Sequence, residues 1–188
     1  MKHGIFCLEN PWYPRQLDRR LSVRPILEVL SDRERIPFVH RECGTAADIH
    51  FYLEQWTLKR YRRYPILYLA FHGEPKLIWI GNDKFTLDQF AELFEGRCER
   101  KVVVLGSCAT LHTDRRHLKR FLKMTKALAV CGYLESVDWV PSTAFEMMLL
   151  FTLVKGSLGP AGLEDIKART ERIARAFKEL PYRMVLRG

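Results

Sequence analysis

Two residues of this 188-residue sequence stand at the ends of apolar runs and could do chemistry together: His72 after ILYLAF, and Cys108 closing VVVLGSC. A thiolate is a strong nucleophile, and an imidazole beside it can take the thiol proton and later protonate a leaving group near neutral pH. Gly73, next to the histidine, adds a third feature. Without a Cβ it lets a substrate carbonyl approach the backbone, where an N–H can face a developing oxyanion, and the amide of Cys108 offers a second donor. Taken singly, each residue has a plainer use, since cysteine is often a small buried hydrophobe and histidine a polar strand terminator. Their joint position at two buried strand ends favours the chemical reading.

Other chemistries fit less well. A tyrosine-phosphatase-like loop needs an arginine where Asp114 stands, and Arg115 is one position out of register. Cys108 and His112 have i, i+4 spacing for zinc, yet no second pair at ligand spacing follows and His117 falls on another helical face, so no metal is expected. Neither G-x-G-x-x-G nor G-x-x-x-x-G-K-[ST] occurs, and no cofactor is expected.

The elements that must position these residues are legible from periodicity. GIFCLEN reads as a first strand, followed by a polar loop rich in Pro and Arg. Val23, Ile26, Leu27 and Leu30 recur at helical spacing between Ser22 and Ile36, with Ser22 as cap. PFVHRECG gives a second strand, and Thr45 caps a helix ending in the KRYRRYP cluster. ILYLAF and VVVLGSC are continuous apolar runs, as expected of central strands covered on both faces. Between them, LIWIGNDKFTL reads as a hairpin about Gly81, Asn82 and Asp83, and Thr86 with Gln89 forms a capping box for LDQFAELF. That intervening stretch is what a crossover needs to return the chain parallel to its first strand, so the two strands should be neighbours. A basic helix through HLKRFLKM, the strand ALAVCGY, a helix containing AFEMMLLFTLV, a last helix from Leu163 to Leu180 and a terminal edge strand PYRMVLR complete the chain. The alternation predicts a three-layer αβα sandwich with a mostly parallel central sheet, and length predicts one domain over residues 1–188.

Composition narrows the setting. Five cysteines without a C-x-x-C pair, an odd number, argue against a disulfide framework and for a reducing, cytoplasmic environment. The N-terminus does not read as a signal peptide, and the longest apolar run, Met147 to Val154, is too short to cross a bilayer, so no membrane partner is expected. The net charge of +9, with clusters at Lys59 to Arg63 and Asp114 to Arg120, permits attraction to nucleic acid or an acidic protein. Interspersed Lys and Arg are more often a solvated face, so nucleic acid is not the favoured partner.

YLAFHG, the hairpin and helix LIWIGNDKFTLDQFAELF, VVVLGSC, and AVCGYLESVDWVPSTAFEMMLLF together resemble the caspase-like (clan CD) cysteine peptidase superfamily, particularly its bacterial CHAT-type domains. The resemblance runs from about Ile66 to Val154. It implies a caspase-like fold and a hydrolase acting on a protein or peptide substrate: Cys108 attacks the scissile carbonyl, His72 serves as acid and base, and Gly73 belongs to the oxyanion hole. It further implies a role in bacterial defence or regulated proteolysis. The signature Q-A-C-[RQG]-G is absent, the residues here being Gly106, Ser107, Cys108, Ala109 and Thr110, which separates the chain from caspases proper. Without a fused sensor domain, control would come from a regulatory protein partner, or the domain would be a catalytically degenerate scaffold. In this topology the loop from Leu134 to Ser142 lies beside the Cys108 strand, which makes Glu135, Asp138 and Ser142 candidates for lining a specificity pocket. An acidic residue there favours a Lys or Arg side chain, while Asp138 could equally cap the loop. The rival reading is a basic module that binds nucleic acid or an acidic protein, with the dyad vestigial.

Overall fold

The computed structural model describes residues 3–12, 21–177 and 180–188, in which strands and helices alternate along the chain. In order they are β1 (Ile5–Glu9), α1 (Arg24–Glu34), β2 (Phe38–Glu42), α2 (Ala46–Thr57), β3 (Ile66–Ala70), β4 (His72–Glu74), β5 (Leu77–Ile80), β6 (Asp83–Thr86), α3 (Leu87–Leu93), β7 (Val102–Leu105), α4 (Arg115–Thr125), β8 (Ala129–Tyr133), α5 (Trp139–Lys155), α6 (Pro160–Ala176) and β9 (Tyr182–Leu186). A short 3-10 turn, Lys59–Tyr61, follows α2. The expected polar loop after the first strand falls largely on residues 13–20, outside those described.

The central sheet has the order β2-β1-β3-β7-β8-β9. Its neighbours pair in parallel except β8 and β9, which are antiparallel at the edge. Both faces are buried, and the alternation of side chains divides the core in two. Leu67 and Leu69 of β3 and Val103 and Leu105 of β7 pack with Ile49, Leu53 and Trp56 of α2, Phe90 of α3 and Phe121 and Leu122 of α4. Ile66, Tyr68 and Ala70, with Val102 and Val104, pack on the opposite face with Leu27 and Leu30 of α1, Phe145, Leu149 and Leu153 of α5, and Leu163 and Ile166 of α6. Apolar runs without polar alternation arise because each strand side chain, up or down, meets a helix. Helices therefore cover the sheet on both sides, in the predicted three-layer arrangement. Among the described residues no helix is long and apolar enough to cross a membrane.

Local chemistry sets the element boundaries. Thr45 with Asp48, and Thr86 with Gln89, form reciprocal capping boxes at the starts of α2 and α3. Val23 stands at the N-cap position of α1 without a side-chain bond, and Ser22, one residue earlier, serves the first turn: its hydroxyl accepts from the Arg24 N–H at 3.0 Å while donating to the carboxylate of Glu9 at 2.6 Å. The hairpin turns through Gly81 at φ +59, where a Cβ would strike the Gly44 carbonyl. It is also larger than expected, because β4 adds a third strand antiparallel to β5.

Candidate active site

Because β1, β3, β7 and β8 are parallel neighbours, the segments leaving their carboxyl ends gather along one edge of the sheet, where open α/β sheets form their crevices. A cavity of about 190 Å³ lies at this edge. His72 reaches it from the start of β4, just past β3, Cys108 from the turn after β7, Trp12 from beyond β1, and Ser142 and Glu146 from α5. His72 and Cys108 therefore line one cavity. His72 is exposed and Cys108 half-buried, so both reagent access and a protected thiol are available.

The imidazole is oriented by backbone. Nε2 of His72 lies 3.1 Å from the carbonyl oxygen of Trp12, and the two rings meet edge to face at 4.9 Å between centroids. A carbonyl can only accept, so Nε2 carries the proton and Nδ1 is left as the ring's acceptor in the neutral form. This is the arrangement a general base needs: a third group fixing the tautomer.

Trp12 is held in turn by a buried carboxylate. Glu9, 2% exposed, accepts from Nε1 of Trp12 at 2.7 Å, from the hydroxyl of Ser22 at 2.6 Å and from the Val23 N–H at 2.8 Å. His40 Nε2 stands 2.7 Å from Oε2, the oxygen that also accepts from Ser22. Burial alone would raise its pKa, but the bonds from His40, Ser22, Trp12 and Val23 together outweigh that and hold the carboxyl below its ordinary range.

The cysteine sits on a tight turn. Ala109, next in sequence, has φ 52, a left-handed conformation that costs a non-glycine residue about 1 kcal/mol. Bonds from the Ala109 N–H to the Glu135 carbonyl, 3.0 Å, and from the Leu111 N–H to the Tyr133 carbonyl, 3.0 Å, tie the turn to the end of β8. Gly73 packs directly against this turn. A Cβ there would lie 2.5 Å from Oγ1 of Thr110, 2.8 Å from Cβ of Ser107, and against the carbonyl of Cys108. Glycine at 73 thus lets β4 seat itself on the loop that carries the thiol. The hydroxyl of Ser107, the residue before Cys108, is buried and has no hydrogen-bond partner among the described residues.

The remaining sequence candidates divide. Ser142 lines the cavity with His72 and Cys108, its hydroxyl donating to the Trp139 carbonyl at 3.0 Å. Glu135 and Asp138 instead line an adjoining open depression with Pro141 and Pro181. Asp138 is the N-cap residue of α5, although its side chain makes no capping bond.

Sequence reasoning missed the carboxyl that does line the cavity, Glu146, 5% exposed. The hydroxyls of Tyr68 and Tyr133 face it, and that of Tyr133 also reaches the Ser142 carbonyl at 3.4 Å. Burial pushes its pKa up to about 7 against the lowering effect of the two tyrosines. One signal was available: Glu146 is the lone charge within the apolar stretch AFEMMLLFTLV. Trp12 and Glu9 were also missed, because contacts between a post-strand loop and a distant histidine leave no local pattern.

Among the described residues no group of three His, Cys, Asp or Glu side chains could hold a metal ion. Two of the cations on α4 are engaged within the fold, Arg120 with Asp88 at 2.7 Å and Lys119 with the Leu186 carbonyl at 2.8 Å.

No curated protein matches the sequence. A family model described as a family of unknown function (DUF6642) matches residues 2–178, nearly the whole chain, and the protein belongs to that family.

Proposed function

We propose that this protein is a cysteine endopeptidase of caspase-like fold, in which Cys108 attacks the scissile carbonyl and His72 moves the proton. The observation that carries the reading is the meeting of His72 and Cys108 in one cavity at the carboxyl edge of two adjacent parallel strands. In the proposed cycle His72 Nδ1 takes the thiol proton, sulfur adds to the carbonyl carbon, and the imidazolium protonates the departing amine as the C–N bond breaks. Water then hydrolyses the thioester and releases the acid. Backbone N–H groups near Gly73 and Cys108 would face the oxyanion.

The rival, a basic binding module with a vestigial dyad, has less support, since part of the α4 charge is spent on internal contacts. A peptide probe carrying a thiol-reactive group, applied to wild type, Cys108→Ala and His72→Ala, tests the proposal. Adduct at Cys108, lost in the first variant and slowed in the second, is the expected result. Adduct at Cys7, Cys43, Cys98 or Cys131, or equal rates with and without His72, would overturn it.

A further inference from the structure

The cavity that holds the dyad has a floor of unusual character. Its walls are largely apolar and aromatic, with Trp12, Phe71, Val137 and Trp139 among them, and Trp12 meets Trp139 edge to face at 4.8 Å between centroids. Glu146 supplies a buried carboxyl to the lining, on the face of α5 turned toward Tyr68 and Tyr133 of the sheet. One oxygen, Oε2, accepts from Tyr68. The other, Oε1, lies beside Gly106, 3.2 Å from where a Cβ would stand. Gly106 lines the same cavity and is packed closely by the Tyr68 ring, 2.7 Å from where its Cβ would stand, so the carboxyl and Gly106 share one end of the lining.

No Lys, Arg or His among the described residues pairs with Glu146, and the other charged group bearing on it is Glu9, also acidic. A buried carboxylate without a counter-ion is costly, and a cation delivered to it gains a charge-assisted bond in a site shielded from water. Lys and Arg side chains combine the two properties the cavity asks for: an apolar stem that lies along hydrophobic walls, and a charged end that can also stack on tryptophan.

We propose that this cavity takes a Lys or Arg side chain of the substrate, its stem lying along the Trp12 and Trp139 wall and its cationic end on Glu146. The assignment rests on the peptidase reading only for the identity of that residue, the one contributing the carbonyl that Cys108 attacks. It transfers the charge selection from Glu135 and Asp138, which line the neighbouring depression, to Glu146.

Two measurements separate this assignment from the reading beneath it. The first compares thiol-reactive peptide probes that differ only in ending with arginine, its neutral isostere citrulline, leucine or aspartate. Wild type should label at Cys108 about tenfold faster with arginine than with citrulline, and Glu146→Gln should erase that ratio. Equal rates with arginine and citrulline in wild type would overturn the role of Glu146 while leaving the thiol chemistry standing. The second uses Cys108→Ala and the small ligand Nα-acetyl-arginine N-methylamide, with its citrulline counterpart, in a calorimetric titration. Saturable binding of the arginine compound alone, lost on adding Glu146→Gln, supports the pocket even if no probe labels Cys108, in which case the peptidase reading alone fails. Absence of any preference between the two ligands would overturn the pocket.

Discussion

The carbonyl oxygen of Trp12 lies 3.1 Å from Nε2 of His72, and the indole N–H of the same tryptophan donates to Glu9 at 2.7 Å. One residue therefore joins a buried carboxylate, itself clamped by Ser22, Val23 and His40, to the imidazole at the cavity mouth. The tautomer of His72 depends on a loop position, and the loop position depends on Glu9.

Replacing Glu9 should show that dependence. Glu9→Gln keeps the shape but loses charge and one acceptor, and should cost roughly 2 kcal/mol of unfolding free energy in urea. It should also slow alkylation of Cys108 in wild type and have no further effect in a His72→Ala background, because both changes act through the same imidazole. Additive slowing would place Glu9 outside the dyad's support.

Thiol accessibility gives a second prediction. Cys7, Cys43, Cys98 and Cys131 are buried, and burial pushes the thiols of Cys43, Cys98 and Cys131 up to about 12 and that of Cys7 well above its ordinary value. A disulfide reagent at neutral pH should titrate one thiol promptly in the native protein, Cys108, and all five in denaturant. The Cys108→Ala variant should show no prompt reaction.

At position 73 even a methyl group should be felt. Gly73→Ala places Cβ against the Cys108 turn and should destabilise the fold by roughly 1–3 kcal/mol, with loss of probe labelling at Cys108. Urea unfolding and labelling rates measured together check both effects.

The pH dependence of stability should report Glu146. Its pKa is raised from 4.5 to about 7, so between these values the folded protein holds a proton that the unfolded chain has released. Stability from this group is complete below about pH 4.5 and is lost as pH rises to about 7, a change of up to about 3 kcal/mol. The difference in unfolding free energy between wild type and Glu146→Gln should fall over that window. A flat difference would mean that Glu146 titrates normally.

The strands could be read in advance because β3 and β7 are buried on both faces and leave uninterrupted apolar runs, and the capping boxes at Thr45 and Thr86 because they are patterns of four residues. That β3 and β7 are parallel neighbours followed from the crossover between them. What the sequence concealed lies in contacts between distant segments. Glu9 accepts from Ser22, thirteen residues on, Trp12 reaches His72 across the loop, and β4 packs closely on the Cys108 turn because Gly73 permits it. Glu135 and Asp138 looked like pocket residues because the loop carrying them follows β8, but the first turns of α5 bring Ser142 and Glu146 to the cavity instead.

The most direct test of the account is proteolysis itself. Wild type and Cys108→Ala, incubated with a complex mixture of denatured proteins, are compared by mass spectrometry for newly formed peptide termini. The account predicts new termini with wild type, predominantly after Lys or Arg, and none with Cys108→Ala. An absence of cleavage by wild type, or the same termini from both proteins, would contradict it.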